Sequence, residues 1–216
     1  MISKMLDAIG SYFPMTELDC GEYAKQKISG MNFTIRHFHA DGLGSVSSMV
    51  ASGFFGLMKM DTLIITPTHK DMPLFSYDRV HAMGNDTLIF ELYDTQLADA
   101  DLTALQAVKD SAASLPEHDL GAHWYDSIKL PVSLSKKGKK THTAAFDNCT
   151  LAYLDAFLTL AKDANCCEAA PKREKASVYV EGLLTHGGPS TDVFKKGIGD
   201  EKTAELFRKI LFATEE

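Results

Sequence analysis

One carboxyl stands out among the residues that could do chemistry. Asp78 lies within Leu74-Phe75-Ser76-Tyr77-Asp78-Arg79-Val80, an otherwise largely apolar stretch. A Gly84-Asn85-Asp86 turn follows, then a second apolar run, Leu88-Ile89-Phe90-Glu91-Leu92-Tyr93. A carboxyl so placed is either poorly solvated or at the mouth of a pocket. Burial disfavours its charged form, raises its pKa and suits it to give up a proton near neutral pH. The same placement also fits a structural carboxylate that pairs with a cation or caps a backbone group.

Other candidates surround it. In 32–40 side chains alternate, so His37 and His39 share a strand face. An H-x-H pair can ligate a metal, but no third ligand stands at a diagnostic spacing. The pair fits a pocket wall or plain structural histidines as well. On the second hairpin strand Ile89, Glu91 and Tyr93 face one way and Leu88, Phe90 and Leu92 the other. Glu91 could pair with Arg79 across the hairpin or take part in chemistry. Met49, Met58, Met60, Met72 and Met83 suit either a core or a pocket for a flat ligand.

The elements that must position these groups follow from periodicity. Ile2, Met5, Leu6, Ile9 and Phe13 mark a helix over 2–13. Strands are expected at 22–29, 32–40, 62–65, 74–82 and 87–94, the last two forming an antiparallel hairpin. Residues 41–60 read as a loop from their Gly and Ser content, or as a helix from Val46, Met49, Val50 and Phe54. Asp101 can cap a helix carrying Leu102, Leu105 and Val108, and 113–141 look mostly irregular. Helices then carry Phe146, Cys149, Tyr153, Phe157 and Leu160, next Ala176, Val180, Leu183 and Leu184, next 190–197, and last a segment from Asp200. Early strands and late helices make an α+β pattern, a single domain over 1–216 with helices on both faces of one antiparallel sheet.

Composition narrows the class. The 216 residues include 45% hydrophobic and 24% charged residues, as in an ordinary soluble domain. A net charge of −7 argues against nucleic-acid binding. No apolar run is long enough to span a membrane, and the N-terminus lacks a signal-peptide pattern, so a cytoplasmic location is expected. Cys20, Cys149, Cys166 and Cys167 show no C-x-x-C spacing and read as free thiols. Phosphate-loop and nucleophile-elbow motifs are missing. Gly42-Leu43-Gly44-Ser45-Val46-Ser47 falls short of a dinucleotide fingerprint and reads as a turn.

The stretch 67–96 resembles ferredoxin-dependent bilin reductases. That family carries Pro…Asp-Leu-Pro, two apolar residues, Gly-x-Asp and two more apolar residues, then a glycine turn and an apolar strand bearing an acid. Here it stands as Pro67…Asp71-Met72-Pro73-Leu74-Phe75-Ser76-Tyr77-Asp78-Arg79-Val80, with Glu91 on the next strand. Ser76 replaces the glycine, and Arg79 an apolar residue. Val193-Phe194-Lys195-Lys196-Gly197-Ile198-Gly199-Asp200-Glu201 and then Leu211-Phe212 are similar to the family's last two helices. The two patches suggest a distant member, related to red chlorophyll catabolite reductase.

The resemblance implies a three-layer α/β/α sandwich with a central antiparallel sheet and a pocket between the sheet and the C-terminal helices. It implies reduction of a linear tetrapyrrole by single electrons from ferredoxin or flavodoxin, with no tightly bound cofactor and no resident metal. Asp78 matches the family's proton donor, and His37, His39, Glu91 and His186 are the substrate-binding candidates. The family's usual upstream histidine falls near Asp61 or Thr62, and its Asn-Asp pair at Gly187-Gly188. A second proton donor is therefore unassigned, with His37, His39 and His186 as substitutes. An acidic electron donor needs a basic patch, for which Lys136, Lys137, Lys139 and Lys140 stand first and Lys195 and Lys196 next. Two alternatives remain: a non-catalytic binder of a tetrapyrrole or other planar ligand on the same fold, and a metal-dependent enzyme built on His37 and His39.

Overall fold

Extended segments over residues 15–93 pair antiparallel and organise the sheet. In the computed structural model, which describes residues 1–215, helix α1 (Ile2–Tyr12) leads into two short strands, β1 (Met15–Leu18) and β2 (Lys25–Ile28). Both pair antiparallel along one edge of β3 (Met31–Ala40), β1 with its last residues and β2 with its first. The strands β4 (Gly44–Gly53), β5 (Met58–Pro67), β6 (Leu74–Ala82) and β7 (Asn85–Tyr93) continue as an antiparallel meander. After α2 (Thr103–Ser111), β8 (Leu134–Lys139) closes the far edge against β7. The chain ends in α3 (Thr143–Asp163), α4 (Ala169–His186), α5 (Pro189–Ile198), α6 (Asp200–Glu205) and a single π-helical turn, Leu206–Leu211.

Each face of the sheet buries its own core. Leu63, Ile65, Phe75, Tyr77, Leu88 and Phe90 point toward α1, α2 and α3. There Phe75 and Phe90 pack on Tyr153 and Phe157, with Phe90 stacked on Tyr153 at 4.3 Å between ring centres. Burying one such side chain contributes about 1.5–3 kcal/mol. Phe33, Ile35, Met49, Ile64, Leu74 and Tyr93 point the other way, toward α4, α5 and the π turn. The result is the expected α+β fold, an α/β/α sandwich about a central antiparallel sheet.

Several local expectations are corrected. Residues 44–53 are a strand, neither loop nor helix, because Gly44 and the serines sit in the middle of the sheet and pair on both sides. A Cβ on Gly44 would lie 2.4 Å from the Thr66 carbonyl oxygen, so the close strand approach needs glycine there. The Gly42–Gly44 segment is an antiparallel hairpin turn, not a strand-to-helix phosphate loop. The β6–β7 turn is Met83-Gly84, with φ of 51° and 76°, and Asn85-Asp86 already belong to β7. Residues 134–139 form a strand in a region expected to be irregular.

Two expected charge roles also change. Arg79 and Glu91 cannot pair, because they lie on opposite faces of the sheet. Arg79 is 1% exposed, donates through Nε and Nη2 to the two oxygens of Asp86, and lies over the Phe146 ring at 5.0 Å. Burial pushes the Asp86 carboxyl up, but the Arg79 guanidinium and the Thr143 hydroxyl outweigh it and hold the pKa below the usual value. Lys136 is 2% exposed, with Nζ bonded to Glu117 and the Leu115 carbonyl. It is therefore no part of a docking patch, while Lys137, Lys139 and Lys140 are exposed.

Candidate active site

A cavity of about 300 Å³ opens between the second face of the sheet and the C-terminal helices. Strand alternation makes its floor: Met60, Thr62 and Ile64 of β5, Ser76, Asp78 and Val80 of β6, and Ile89 and Glu91 of β7 all point into it. The loop between α2 and β8 brings Trp124 and Tyr125 over one side. Tyr179 and Leu183 of α4 continue this wall, with Tyr179 in ring contact with both Trp124 and Tyr125, and Phe207 and Leu211 of the π turn complete the lining. A Ser47 hydroxyl bond to the Leu211 carbonyl, 2.7 Å, ties that turn to β4.

Asp78 sits in the middle of this floor. Register places it opposite Thr62, whose hydroxyl donates to Asp78 Oδ1. Burial pushes the carboxyl up, the Thr62 bond opposes this, and the nearby Glu91 charge adds to it; the pKa stands at about 6. Desolvation thus outweighs the hydrogen bond, and the group can hold or release a proton close to neutral pH.

Glu91 is the second carboxyl of the floor and is 9% exposed. Its Oε2 accepts from the Tyr93 hydroxyl at 2.7 Å, and Tyr93 accepts from the Tyr179 hydroxyl at 2.8 Å. The Tyr93 and Tyr179 rings are stacked at 3.9 Å. Burial drives both phenols well above their ordinary pKa, so they remain donors. Glu91 Oε1 has no hydrogen-bond partner among the described residues, and Lys129 Nζ stays 3.7 Å away. Oε1 is thus enclosed and balanced by the Lys129 charge, while the side chain as a whole borders the cavity floor.

Glycines shape the walls. A Cβ on Gly182 would lie 2.1 Å from the Trp124 ring, so α4 needs glycine for the indole to lie flat against it. Trp124 Nε1 donates to the Gly187 carbonyl at 3.4 Å. Gly187 and Gly188 join α4 to α5 and line the cavity with backbone alone.

Of the residues expected at the site, Asp78 and Glu91 meet there. His37, His39 and His186 do not line the cavity, whereas His123, unremarked in the sequence, does. His37 is buried deeper along β3 with Nε2 at 2.9 Å from Ser45 Oγ, and burial lowers its pKa. His39 is exposed, 3.3 Å from Asp41. His186 is exposed at the end of α4, beside the Trp124 ring at 5.4 Å. Among the described residues no group of three or more His, Cys, Asp or Glu could hold a metal, so His37 and His39 lack a third partner.

Asp71 of the quoted pattern is architectural. It accepts from the backbone N–H groups of Leu97 and Ala98 and faces the buried Lys172. Met49 and Met60 line the cavity, Met72 fills the core, and Met83 is exposed. Thr62, Tyr93, Trp124, Tyr125 and Tyr179 are site residues that sequence reasoning missed. Tyr93 carried a signal, since alternation puts it on the face of Glu91, and Thr62 carried one as a position near which the resemblance expects a histidine.

No protein-family model matches the sequence, and no curated protein matches it. Among solved structures, the crystal structure of selenomethionine phytochromobilin synthase from tomato in complex with biliverdin is similar, with a TM-score of 0.81 and 14% identity. The likeness covers 99% of this chain and 82% of that one. The chain therefore shares the α/β/α fold of tomato phytochromobilin synthase, built on the same kind of central antiparallel sheet.

Proposed function

We propose that this protein reduces a linear tetrapyrrole, using Asp78 as the proton donor. The observation that carries this reading is the Asp78 carboxyl. It is protonatable near neutral pH and stands in the floor of an aromatic-walled cavity. The fold neighbour's complex with biliverdin supports the ligand class.

Electrons arrive singly from reduced ferredoxin or flavodoxin, and each raises the basicity of the conjugated pigment. The neutral Asp78 carboxyl then gives its proton to the pigment and is reprotonated from solvent. Two electrons and two protons complete the reduction of one double bond. Glu91, as the carboxylate, holds the pigment by accepting a pyrrole N–H, and Asp78, reprotonated from solvent after the first transfer, supplies the second proton as well. The faces of Trp124, Tyr125 and Tyr179 stack the planar rings and exclude water.

Absorbance titration with biliverdin, with and without reduced ferredoxin or flavodoxin, tests the proposal. The wild-type chain binds with a shifted visible spectrum and the spectrum then bleaches or shifts on reduction. Asp78→Asn keeps the binding shift and loses turnover; full turnover in that variant would remove Asp78 from the mechanism. A second reading, binding without reduction, draws support from Gly187 and Gly188, which offer the cavity no polar side chain. A bound pigment unchanged by either reductant would select it.

A further inference from the structure

Two hairpin turns at one end of the sheet carry large apolar side chains that neither turn geometry nor packing accounts for. The β4–β5 turn presents Phe54, Phe55 and Leu57, and the β6–β7 turn presents Met83. Their exposures are 56%, 108%, 71% and 91%. Phe54, Phe55 and Met83 hold φ of 51°, 56° and 51°. Bulky L-residues rarely enter that region, and tight hairpins usually fill it with Asn, Asp or Gly. At Phe55 and Met83 the chain keeps unfavourable residues where they cover almost nothing of its own.

Both turns stand on one edge, and the edge is basic. Register joins Ile28, Met31, Gly53, Met58, Ala82, Asn85 and Lys139 in one row across the sheet. The two turns project beyond this row, roughly 10 Å apart at the usual strand spacing. Lys27, Lys59 and Lys139 lie in the last two rows and Lys140 just beyond, all exposed. Lys139 bonds the Asn85 amide, and the other three form no ion pair among the described residues. The one carboxylate in those rows, Asp86, is 1% exposed and matched by Arg79. In a chain of net charge −7, apolar tips here stand among unpaired lysines.

We propose that this edge docks on an anionic lipid surface. The phenylalanines, Leu57 and Met83 enter the boundary between headgroups and acyl chains, and the lysines face the anionic headgroups. A bilayer accepts separate prongs at any spacing, whereas a protein partner needs a fitted pocket for each. No helix of the described residues is long and apolar enough to cross a membrane, so the contact is peripheral.

Cosedimentation of the full chain with vesicles tests this without any pigment. The chain should bind vesicles of equal parts phosphatidylcholine and phosphatidylglycerol at low salt, and bind pure phosphatidylcholine vesicles about tenfold more weakly. The double variant Phe55→Asn with Met83→Asn should lose about tenfold in binding to the mixed vesicles. Asn suits both backbone positions, so the fold is retained, which an unchanged or raised melting temperature would verify. Lys59→Gln with Lys140→Gln should weaken binding and flatten its salt dependence. Failure of the wild-type chain to bind mixed vesicles overturns the proposal, and so does undiminished binding by the asparagine variant. Should the asparagine variant instead lose only donor-driven turnover while no form binds vesicles, the edge belongs to an acidic electron-donor protein.

Discussion

Thr62 stands opposite Asp78 across the β5–β6 pair, and its hydroxyl donates to the Asp78 carboxyl. The bond favours the ionised acid, while burial and the Glu91 charge favour the neutral one. Their balance sets the pKa at about 6 rather than far above it. Thr62 therefore acts as a tuning partner for the proposed donor.

Turnover by this acid declines as pH rises through about 6, because only the protonated carboxyl can give a proton. Thr62→Val removes the bond that favours the anion, so the Asp78 pKa rises and the falling limb moves to higher pH. A pH profile of kcat/KM for both forms measures the displacement. An unmoved limb would separate Thr62 from the titration.

Asp78 also costs stability in its ionised form. Its carboxyl ionises near 3.8 in the unfolded chain and at about 6 in the folded one. Relative to its level below pH 3.8, stability falls between these values by about 3 kcal/mol and stays low above them. Asp78→Asn keeps the Thr62 bond and removes the buried charge. Urea unfolding should therefore show the variant more stable than wild type at pH 8, by up to about 3 kcal/mol, and nearly equal at pH 4. Equal stability at pH 8 would contradict the buried-acid assignment.

The Arg79–Asp86 pair behaves in the opposite sense. Asp86 is held below its ordinary pKa, so its contribution is present above the unfolded carboxylate value and is lost as pH falls through the folded one. Asp86→Ala removes the two-point partner of a guanidinium at 1% exposure, leaving it only Asp147 at 3.4 Å, and should cost about 3 kcal/mol. Glu91→Gln, on the opposite face, should leave this pair intact; chemical denaturation of the two variants distinguishes the roles.

Trp124 is the only tryptophan of the chain and forms part of the cavity wall. Pigment binding should quench its emission in step with the absorbance change. Gly182→Ala drives a methyl group into the indole, costs about 1–3 kcal/mol of stability and weakens pigment binding. Unchanged affinity in that variant would show that the ligand does not use this wall.

Tyr93→Phe removes the hydroxyl that donates to Glu91 and leaves a buried carboxylate oxygen without its partner. A loss of about 1–3 kcal/mol in stability and weaker pigment binding are expected. Tyr179→Phe removes the outer link only and should cost less. Titrations of both variants read the order.

Alternation alone grouped Ile89, Glu91 and Tyr93, since neighbouring strand residues must point to opposite faces, but the face of Arg79 relative to Glu91 needed the hairpin register. The helical runs of the C-terminal half were equally legible, because a 3.6-residue repeat is a local property. By contrast, β4 was obscure in sequence: its glycine and serines have weak strand preference, and pairing with β3 and β5 overrides it. The lysines of β8 looked like a solvated loop, yet Lys136 is buried because strand pairing turns it inward onto Glu117. Hairpin register decided that Arg79 meets Asp86, and longer-range pairing and packing decided that Thr62 meets Asp78 and that Trp124 and Tyr179 wall the cavity. Sequence periodicity says which side of an element a residue faces; only the packed fold says what stands across from it.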